Sequence, residues 1–232
     1  MTLQILPLTG IGPVRPGDDV TDILAEALEP LRPMMGDVLV VTHKIVSKAE
    51  GQVVTVEGDE EAFKHALVES EAVAIIRRRG NLIIAETKHG FICANAGIDR
   101  SNAEPETMIL LPEDPDRSAH RIRVRLELRF GVDLPVIISD TFGRAWRRGL
   151  TDIAIGVSGL EAVVDLRGSM DWVGRELEVT EIAVADELAA AADLVMGKSS
   201  GIPAALVRGY QGPRGDGRGK DLVRPADEDL FR

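Results

Sequence analysis

The irregular order of strand-like and helix-like segments is the feature that most constrains the fold of this chain. Short segments rich in Val, Ile and Leu are typical of buried strands, and they occur at residues 3–8, 38–47, 52–56, 91–94, 135–139, 153–157, 161–166 and 204–209. A hairpin is predicted around Gly80, between residues 72–78 and 82–87. Helices are predicted from an amino-terminal cap at Asp19 or Thr21 to Pro30, from a cap at Asp116 to about Phe130, and at residues 59–71 and 176–196. Because strands and helices do not alternate regularly, the sequence predicts an α+β fold with mixed or antiparallel sheets.

The composition excludes several classes of protein. Hydrophobic residues make up 44% of the 232 residues and charged residues 28%, which is ordinary globular composition and excludes a disordered chain. Without an internal repeat or a dividing linker, we predict one domain over residues 1–232. No apolar segment approaches the roughly 18 to 20 residues that span a bilayer, and the N-terminus lacks the features of a signal peptide. Cys93 is the only cysteine and cannot form an internal disulfide, so a cytoplasmic protein is expected.

The net charge of −11 makes nucleic acid or an anionic membrane an unfavourable partner. An anionic substrate would need a local concentration of positive charge. The segment TFGRAWRRGLTD supplies one, because Arg144, Arg147 and Arg148 lie close together among glycines, and guanidinium groups bind phosphate and carboxylate oxygens. A solvated loop is the alternative interpretation of the same segment.

Two aspartates follow predicted strands. Asp99 lies in NAGIDRSN, and Asp140 with Thr141 lies in VIISDTFGR, at the point where a Gly- and Arg-rich loop is predicted to begin. Carboxylates on such loops are natural ligands for magnesium or manganese. Capping of a turn is the alternative for each aspartate, and the buried type of strand before Asp140 favours the metal interpretation there.

Three further segments are weaker candidates for contacts with phosphate. The turn TGIGP matches neither a Walker A loop nor a dinucleotide fingerprint. Lys44 and Lys48 are predicted to extend from a strand, either as surface residues or as phosphate ligands. The segment MGKSSG follows the last helix and on its own favours an ordinary glycine turn. The histidines lack the spacing of zinc ligands, and Cys93 is predicted to be a buried, inert thiol.

Taken together and in order, these segments resemble the coenzyme F420-0:L-glutamate ligase family, also called F420:γ-glutamyl ligase. The matching segments cover nearly the whole chain: LPLTGI, RPGDD, GDVLVVTHKIVSKAEG, HGFICANAGIDRSN, LLPEDPDRSAHRIR, VIISDTFGRAWRRG, AIGVSGL, GRELEVTEIAVADELAAAADLVMGK, IPAALVRG and DLVRPADEDLF. The resemblance implies an α+β fold of two connected lobes and an intertwined homodimer. It also implies the use of GTP with two divalent metal ions, Mg²⁺ or Mn²⁺, and K⁺ is a further candidate.

The resemblance also assigns roles to individual residues. Metal would be held by Asp99, Asp140 and Thr141. Contacts with GTP would come from Gly10, Ile11, Gly12, Pro13, His43, Lys44, Lys48, Asn102, Met196, Gly197, Lys198, Ser199, Ser200, Gly201 and Ile202. The predicted catalytic residues are Asp140 as a metal holder, with Lys48 and Arg144 as contacts to the phosphate groups.

Three departures from the family pattern bear on these roles. Lys198 stands where some members carry an acidic metal ligand, so a second metal would have to be completed by water or substrate. The segment from Glu57 to Glu69 is shorter than in some relatives. The sequence ends at Arg232, where longer relatives continue into a flavin-binding, nitroreductase-like domain, and the stand-alone form is therefore expected.

The activity implied by the resemblance is the addition of L-glutamate to the carboxylate of coenzyme F420-0 through an acyl phosphate, with release of GDP and phosphate. Three alternatives stay open from the sequence. The first is a ligase acting on another acidic acceptor, and the second is a non-catalytic GTP-binding relative. The third is a metal-dependent phosphohydrolase that releases phosphate from GTP without glutamate.

Overall fold

A computed structural model of the chain describes residues 2–100 and 103–229. These residues form five α-helices: α1 (Val20–Leu28), α2 (His43–Ala49), α3 (Glu60–Glu71), α4 (Pro115–Phe130) and α5 (Val184–Met196). They also form twelve strands: β1 (Gln4–Pro7), β2 (Val38–Thr42), β3 (Val53–Thr55), β4 (Ala72–Arg79), β5 (Leu82–Thr87), β6 (Ile92–Ala94), β7 (Thr107–Ile109), β8 (Val136–Arg144), β9 (Arg147–Ser158), β10 (Val164–Asp165), β11 (Glu181–Ile182) and β12 (Ala204–Arg208). The mixed content confirms the predicted α+β fold. None of the helices in these two ranges is long and apolar enough to cross a membrane.

The largest sheet has five strands in the order β1-β12-β2-β8-β9. Strands β2 and β8 pair in parallel, with Leu39 opposite Val136, and the other neighbours pair antiparallel. Strand β1 pairs with β12, so that Ile5 lies opposite Val207 and the two ends of the chain share one sheet. The sheet is therefore mixed, as the sequence predicts.

Helices cover both faces of this sheet because its strands are apolar on both faces. Successive residues of a strand point to opposite faces, and Ile137 and Ile138 accordingly belong to different apolar clusters. On one face α1, α2 and α4 contribute buried residues that include Leu24, Val46 and Ile122. On the other face α5 contributes buried residues that include Leu188, Ala189 and Ala192. This two-sided burial explains why the strand segments read as continuous apolar runs.

The amino-terminal caps of two helices were predicted, one correctly. Asp19 caps α1 by accepting hydrogen bonds from the backbone of the first turn, as predicted. Helix α4 is capped by Asp114, whose carboxylate accepts the Arg117 backbone N–H at 2.9 Å, and the prediction of Asp116 as its cap is wrong. Asp116 lies in the first turn and instead accepts the backbone N–H groups of Val157 and Gly219, so it ties α4 to β9 and to the C-terminal segment.

Four connections meet at one end of the main sheet. Strand β2 ends at Thr42, which pairs with Ser139 of β8. Strand β1 ends at Pro7, opposite Ala205 near the start of β12. The loop that follows β1, helix α2, residues 197–203 before β12 and the outer part of the β8–β9 hairpin therefore come together at this end, which we call the pocket end.

Several predicted element boundaries are wrong for the same reason, which is that pairing across the sheet decides where strands stop. The predicted strand at residues 38–47 ends at Thr42, and the remainder forms α2, with Lys44 and Lys48 one turn apart on one face. The predicted Gly- and Arg-rich loop is a paired hairpin, so Asp140 and Thr141 lie inside β8. The predicted helix at residues 176–196 begins only at Val184, because residues 181–182 pair with the shortened strand at 164–165.

Residues 53–111 add a smaller layer beside the main sheet. Strands β4, β5 and β6 form a three-stranded antiparallel sheet, and β3 pairs with β7. The predicted hairpin around Gly80 is confirmed, with Arg79 opposite Leu82. Helix α3 packs here through Val68 into an apolar cluster that includes Ile83 and Met108. This layer contains Asp99, one of the residues predicted to hold metal.

Candidate functional site

A cavity of about 500 Å³ opens at the pocket end of the main sheet. Its walls come from the loop after β1, from α2 and from the segment between α5 and β12, which are distant in sequence. The residues that line it are Ile11, Gly12, Pro13, Val14, Thr42, Lys44, Ile45, Lys48, Ala103, Asp152, Asp193, Met196, Gly197, Lys198, Ser199, Gly201, Ile202 and Pro203. Small-molecule sites typically occupy roughly 300–1,000 Å³, so the cavity has the size of a ligand site.

Three lysines give this cavity local positive charge within an acidic chain. Lys44 and Lys48 come from one face of α2, and Lys198 comes from the segment after α5. Burial lowers the pKa of Lys48 below its ordinary value of 10.5; Glu104 opposes this change, and the positive charge of Lys44 adds to it. A partly desolvated ammonium beside a second cation is better satisfied when an anion binds, and the cavity is therefore suited to phosphate or carboxylate.

Asp99 is held against the first of these lysines. Its Oδ2 lies 2.7 Å from Lys44 Nζ. Its backbone exchanges two hydrogen bonds with Ile109, of 2.9 and 2.8 Å. Gly97 precedes it at a φ of 72°, and a β-carbon there would lie 2.7 Å from Leu111 Cγ, so both the backbone angle and the contact require glycine. The loop before β7 thus presents the Asp99 carboxylate in a fixed place beside α2.

Asp140 lies beneath α2 and is only 8% exposed. Its Oδ1 accepts the backbone N–H of Thr141 at 2.6 Å and lies 3.3 Å from His43 Nε2, a close electrostatic contact without hydrogen-bond alignment. The His43 ring is fully buried, and its Nδ1 lies 3.2 Å from Ser47 Oγ. His43 therefore supports Asp140 from behind, and its side chain does not reach the cavity.

The same environment accounts for the lone cysteine. Cys93 is buried, as predicted. Burial raises the pKa of its thiol to about 12, and the charge of Asp140 adds to this effect. Because the thiolate is the reactive form, this thiol is inert at neutral pH.

Asp140 and Thr141 point to opposite faces of β8. Asp140 shares a face with His43, whereas the Thr141 hydroxyl donates to Asp152 Oδ1 at 2.5 Å. Ser139, on the same face as Thr141, donates its hydroxyl to Asp152 Oδ2 at 2.9 Å. Asp152 is only 3% exposed, so both of its oxygens are satisfied inside the protein. The two residues predicted to hold metal from β8 therefore belong to separate groups of side chains.

Lys198 completes the group on the Thr141 face. Its ammonium donates a hydrogen bond to the Thr141 hydroxyl oxygen and lies 3.2 Å from Asp152 Oδ1. A second carboxylate, Asp193 from the last turn of α5, lies 3.9 Å from the same nitrogen. Burial raises the pKa of Asp193, the charge of Asp152 raises it further, and Lys198 opposes the change. The ammonium thus balances two nearby carboxylates.

Some predicted site residues lie elsewhere. Gly10 lines a neighbouring cavity of about 510 Å³ that shares Ile11, Gly12 and Pro13 with the first. The Ser200 hydroxyl donates to the Met196 carbonyl and closes the turn after α5. Arg144 is exposed near the tip of the β8–β9 hairpin, where its guanidinium donates to the Arg148 carbonyl at 3.3 Å, and it is not among the residues that line the cavity. Asn102 lies outside the described residues.

The donor set is compatible with magnesium or manganese. Within residues 2–100 and 103–229, no group of three or more His, Cys, Asp or Glu side chains is placed to hold a metal by itself. Mg²⁺ commonly binds through one or two carboxylates while water and phosphate oxygens complete its shell. Asp99 and Asp140 contact the consecutive residues Lys44 and His43 in the first turn of α2, and they fit this limited role.

Two charged residues of the cavity were not predicted. Asp152 and Asp193 both line it, and Asp152 forms the centre of the hydrogen bonds with Ser139, Thr141 and Lys198. A signal for Asp152 was present in the sequence, because an aspartate within the apolar strand TDIAIGVS requires a buried partner. Asp193 gave no signal, since an aspartate in the last turn of a helix is ordinarily exposed.

The fold and the cavity define an α+β protein with a lysine- and carboxylate-lined cavity that is suited in size and charge to a small anionic molecule. Comparison with known proteins gives the family. The family described as F420-0:Gamma-glutamyl ligase matches residues 10–209. A Coenzyme F420:L-glutamate ligase of Methanopyrus kandleri is 42% identical over 253 residues, with 100% of this chain and 98% of the relative covered.

Two further relatives agree with this match. The protein of the same name from Methanothermobacter thermautotrophicus is 42% identical over 254 residues and is covered completely, as is this chain. The one from Methanocaldococcus jannaschii is 44% identical over 212 residues, with 85% of each chain covered. The chain belongs to the F420-0:gamma-glutamyl ligase family, and it is an enzyme that forms carbon–nitrogen bonds.

Proposed function

We propose that this enzyme uses GTP and a divalent metal ion to join L-glutamate to the carboxylate of coenzyme F420-0. The observation that carries the proposal is the cavity at the pocket end of the main sheet. Three segments predicted to contact GTP each contribute residues that line this one cavity, although they are far apart in sequence: residues 11–13, the lysines of α2, and residues 196–199 with 201 and 202. Their convergence supports a nucleotide site, because independent segments do not meet around a lysine-lined space by local structure alone.

The reaction begins from a carboxylate, which is a poor acylating agent because its leaving group would be oxide. In the first step the acceptor carboxylate oxygen attacks the γ-phosphorus of GTP, the bond to the β-phosphate oxygen breaks, and GDP leaves. In the second step the glutamate amine attacks the acyl carbon and inorganic phosphate leaves, while the amine gives up a proton. Charge on the moving phosphoryl group is what the protein must stabilise.

The residues of the cavity are suited to this task. Lys44 and Lys48 line the cavity, and their ammonium groups would contact phosphate oxygens. Asp99 and Asp140 would hold the divalent ion, which when bound neutralises phosphate charge and orients the γ-phosphoryl group. His43 keeps Asp140 in place from the buried side. Lys48, partly desolvated, is the residue whose charge gains most from binding of phosphate.

Arg144 has a different position from the one that its predicted role requires. It lies on the exposed part of the β8–β9 hairpin, so contact with phosphate would require movement of the hairpin or a second subunit.

Exposed apolar side chains on β4 and β5 support the proposed homodimer; they include Val73, which is 68% exposed, and Leu82. Light scattering on purified protein tests the dimer, and a mass equal to a single chain would contradict it.

The activity is tested by mass spectrometry of the deazaflavin product. The purified protein is incubated with coenzyme F420-0, L-glutamate, GTP and Mg²⁺ or Mn²⁺, and each component is left out in turn. A mass increase of one or more glutamyl units that requires both GTP and metal is the expected result. Release of phosphate from GTP without glutamate would instead identify a phosphohydrolase, and no product with any acidic acceptor would contradict the ligase proposal.

The metal assignment is tested by Asp140→Asn. The substitution keeps the shape of the side chain but removes its charge, so turnover with saturating GTP and Mg²⁺ should fall by about 100-fold or more, as for the loss of a group that stabilises transition-state charge. Asp133→Asn is a matched control, because Asp133 pairs with Arg123 away from the cavity. Unchanged turnover of the Asp140 variant would show that Asp140 does not hold the metal.

A further inference from the structure

Lys198 occupies an unusual position among the lysines of the cavity. Although its side chain is 55% exposed, its ammonium lies against three oxygen-bearing side chains, namely Thr141, Asp152 and Asp193. Asp152 is buried, and Asp193 is partly shielded at the end of α5. An uncompensated buried carboxylate is costly, so this side of the cavity needs a cation close to Asp152.

The hydrogen bonds around Thr141 show how that cation is held. The Thr141 hydroxyl gives its hydrogen to Asp152 Oδ1 at 2.5 Å, and its oxygen accepts a hydrogen from Lys198. A hydroxyl oxygen has two lone pairs, so one of them is already committed to the ammonium. A metal ion that approached Thr141 from the cavity would have to displace Lys198 from both Thr141 and Asp152.

We propose that the Lys198 ammonium is a tethered cation that takes the place of a metal ion on the Thr141–Asp152–Asp193 side of the cavity. This inference rests on the proposed use of GTP and a divalent ion. It divides the site into two parts. The Asp99–Asp140 side, on the other face of β8, takes one exchangeable divalent ion, whereas the Thr141 side carries its positive charge covalently attached to the chain. Thr141 is then a positioning residue for Lys198.

The charge balance of the cavity agrees with this division. Lys198 lies between two carboxylates that repel each other, as the raised pKa of Asp193 indicates. A lysine holds a fixed charge without the near-octahedral shell of ligands that Mg²⁺ demands, so a site with few carboxylates can still stabilise a polyphosphate.

The experiment counts metal ions directly. Free Mn²⁺ is measured by electron paramagnetic resonance while Mn²⁺ is titrated into protein saturated with the non-hydrolysable GTP analogue guanylyl imidodiphosphate. The wild type should bind one Mn²⁺ per chain. Lys198→Glu replaces the ammonium with a third carboxylate beside Asp152 and Asp193, and it should bind a second Mn²⁺ at least tenfold more tightly than any second ion bound by the wild type.

A matched variant separates this effect from a general change in charge. Lys64→Glu lies on α3, outside the cavity, and changes the net charge of the protein by the same amount. This variant should still bind one Mn²⁺ per chain. Two tightly bound ions in the wild type, or one ion in Lys198→Glu, would overturn the inference and leave the proposed function intact. If the wild type binds neither the analogue nor Mn²⁺, the proposed function itself fails.

Discussion

The ion pair between Asp37 and Arg208 gives a sharp test of what holds the main sheet together. Asp37 is fully buried just before β2, and both of its oxygens accept hydrogen bonds from Arg208 at the end of β12, at 3.0 and 2.8 Å. The same guanidinium donates to the carbonyl of Leu31 at 2.9 Å. The pair therefore joins two neighbouring strands to the turn that follows α1.

Asp37→Asn keeps the shape of the side chain but leaves the guanidinium without its counter-charge. Removal of one partner of a buried pair costs about 3–5 kcal/mol. Because the Arg208 side chain is 21% exposed, water can solvate part of it, and the lower end of this range applies. For a domain of this size 1 kcal/mol corresponds to a change in Tm of about 2–4 °C, so a cost of about 3 kcal/mol predicts a decrease in Tm of about 6–12 °C.

Differential scanning calorimetry of both proteins measures this decrease, and urea unfolding gives the free energy independently. Asp165→Asn is the matched control, because Asp165 forms a similar two-oxygen pair with Arg167 in which both side chains are about half exposed. Exposed pairs contribute little to stability, so the control should leave Tm within the error of measurement. Equal effects of the two substitutions would refute the argument from burial.

Three further predictions follow from the surroundings of single residues. Folding lowers the pKa of Lys48 from its ordinary value of 10.5, so at a pH between the folded and unfolded pKa values unfolding takes up a proton, and the free energy of unfolding rises with pH there. Lys48→Met should lose this rise when urea unfolding is measured at successive pH values. Parallel curves of unfolding free energy against pH for the wild type and the variant would contradict the assignment. The raised pKa of Cys93 predicts that the thiol resists alkylation by iodoacetamide at pH 8 until urea unfolds the chain, and rapid alkylation of the folded protein would show that burial does not protect it. A β-carbon on Gly156 would lie 2.4 Å from the Pro115 carbonyl oxygen, whereas one on Gly143 would lie 3.9 Å from its nearest neighbour, Leu150. Gly156→Ala should therefore lower the free energy of unfolding by about 1–3 kcal/mol, and Gly143→Ala should lower it much less. Similar decreases for the two variants would contradict the packing argument.

The sequence predicted the central strands well because their composition leaves little choice. The apolar segments that contain Val40, Ile137 and Leu206 are buried on both faces, and β-branched residues in short runs favour strands. It failed at His43, because a short apolar run does not distinguish a strand from a buried helix. It also failed at Arg147, which lies in a strand that its own composition does not favour and that pairing with β8 imposes.

The candidate site was predicted in part, and the untested roles remain predictions. Local chemistry and the family pattern pointed to Lys44 and Lys48, and the structure brings them into one cavity with the segment around Met196. The contacts of Lys198 could not be predicted, because they depend on Asp152, a residue 46 positions away in the sequence. Only the register of β8 against β9 places Asp152 beside Thr141.

The pairing of β1 with β12 has a consequence for how this protein is made. Gln4 lies opposite Arg208, so the first strand leaves the ribosome long before its neighbour in the sheet exists. Loop closure over such a separation carries a large entropic cost, which slows folding. Until β12 is synthesised, β1 and one edge of β2 expose unpaired backbone groups, and such edges promote aggregation. The growing chain therefore completes the cavity at the pocket end only after β12 has been made, and a ligand able to bind there could report that this sheet has formed.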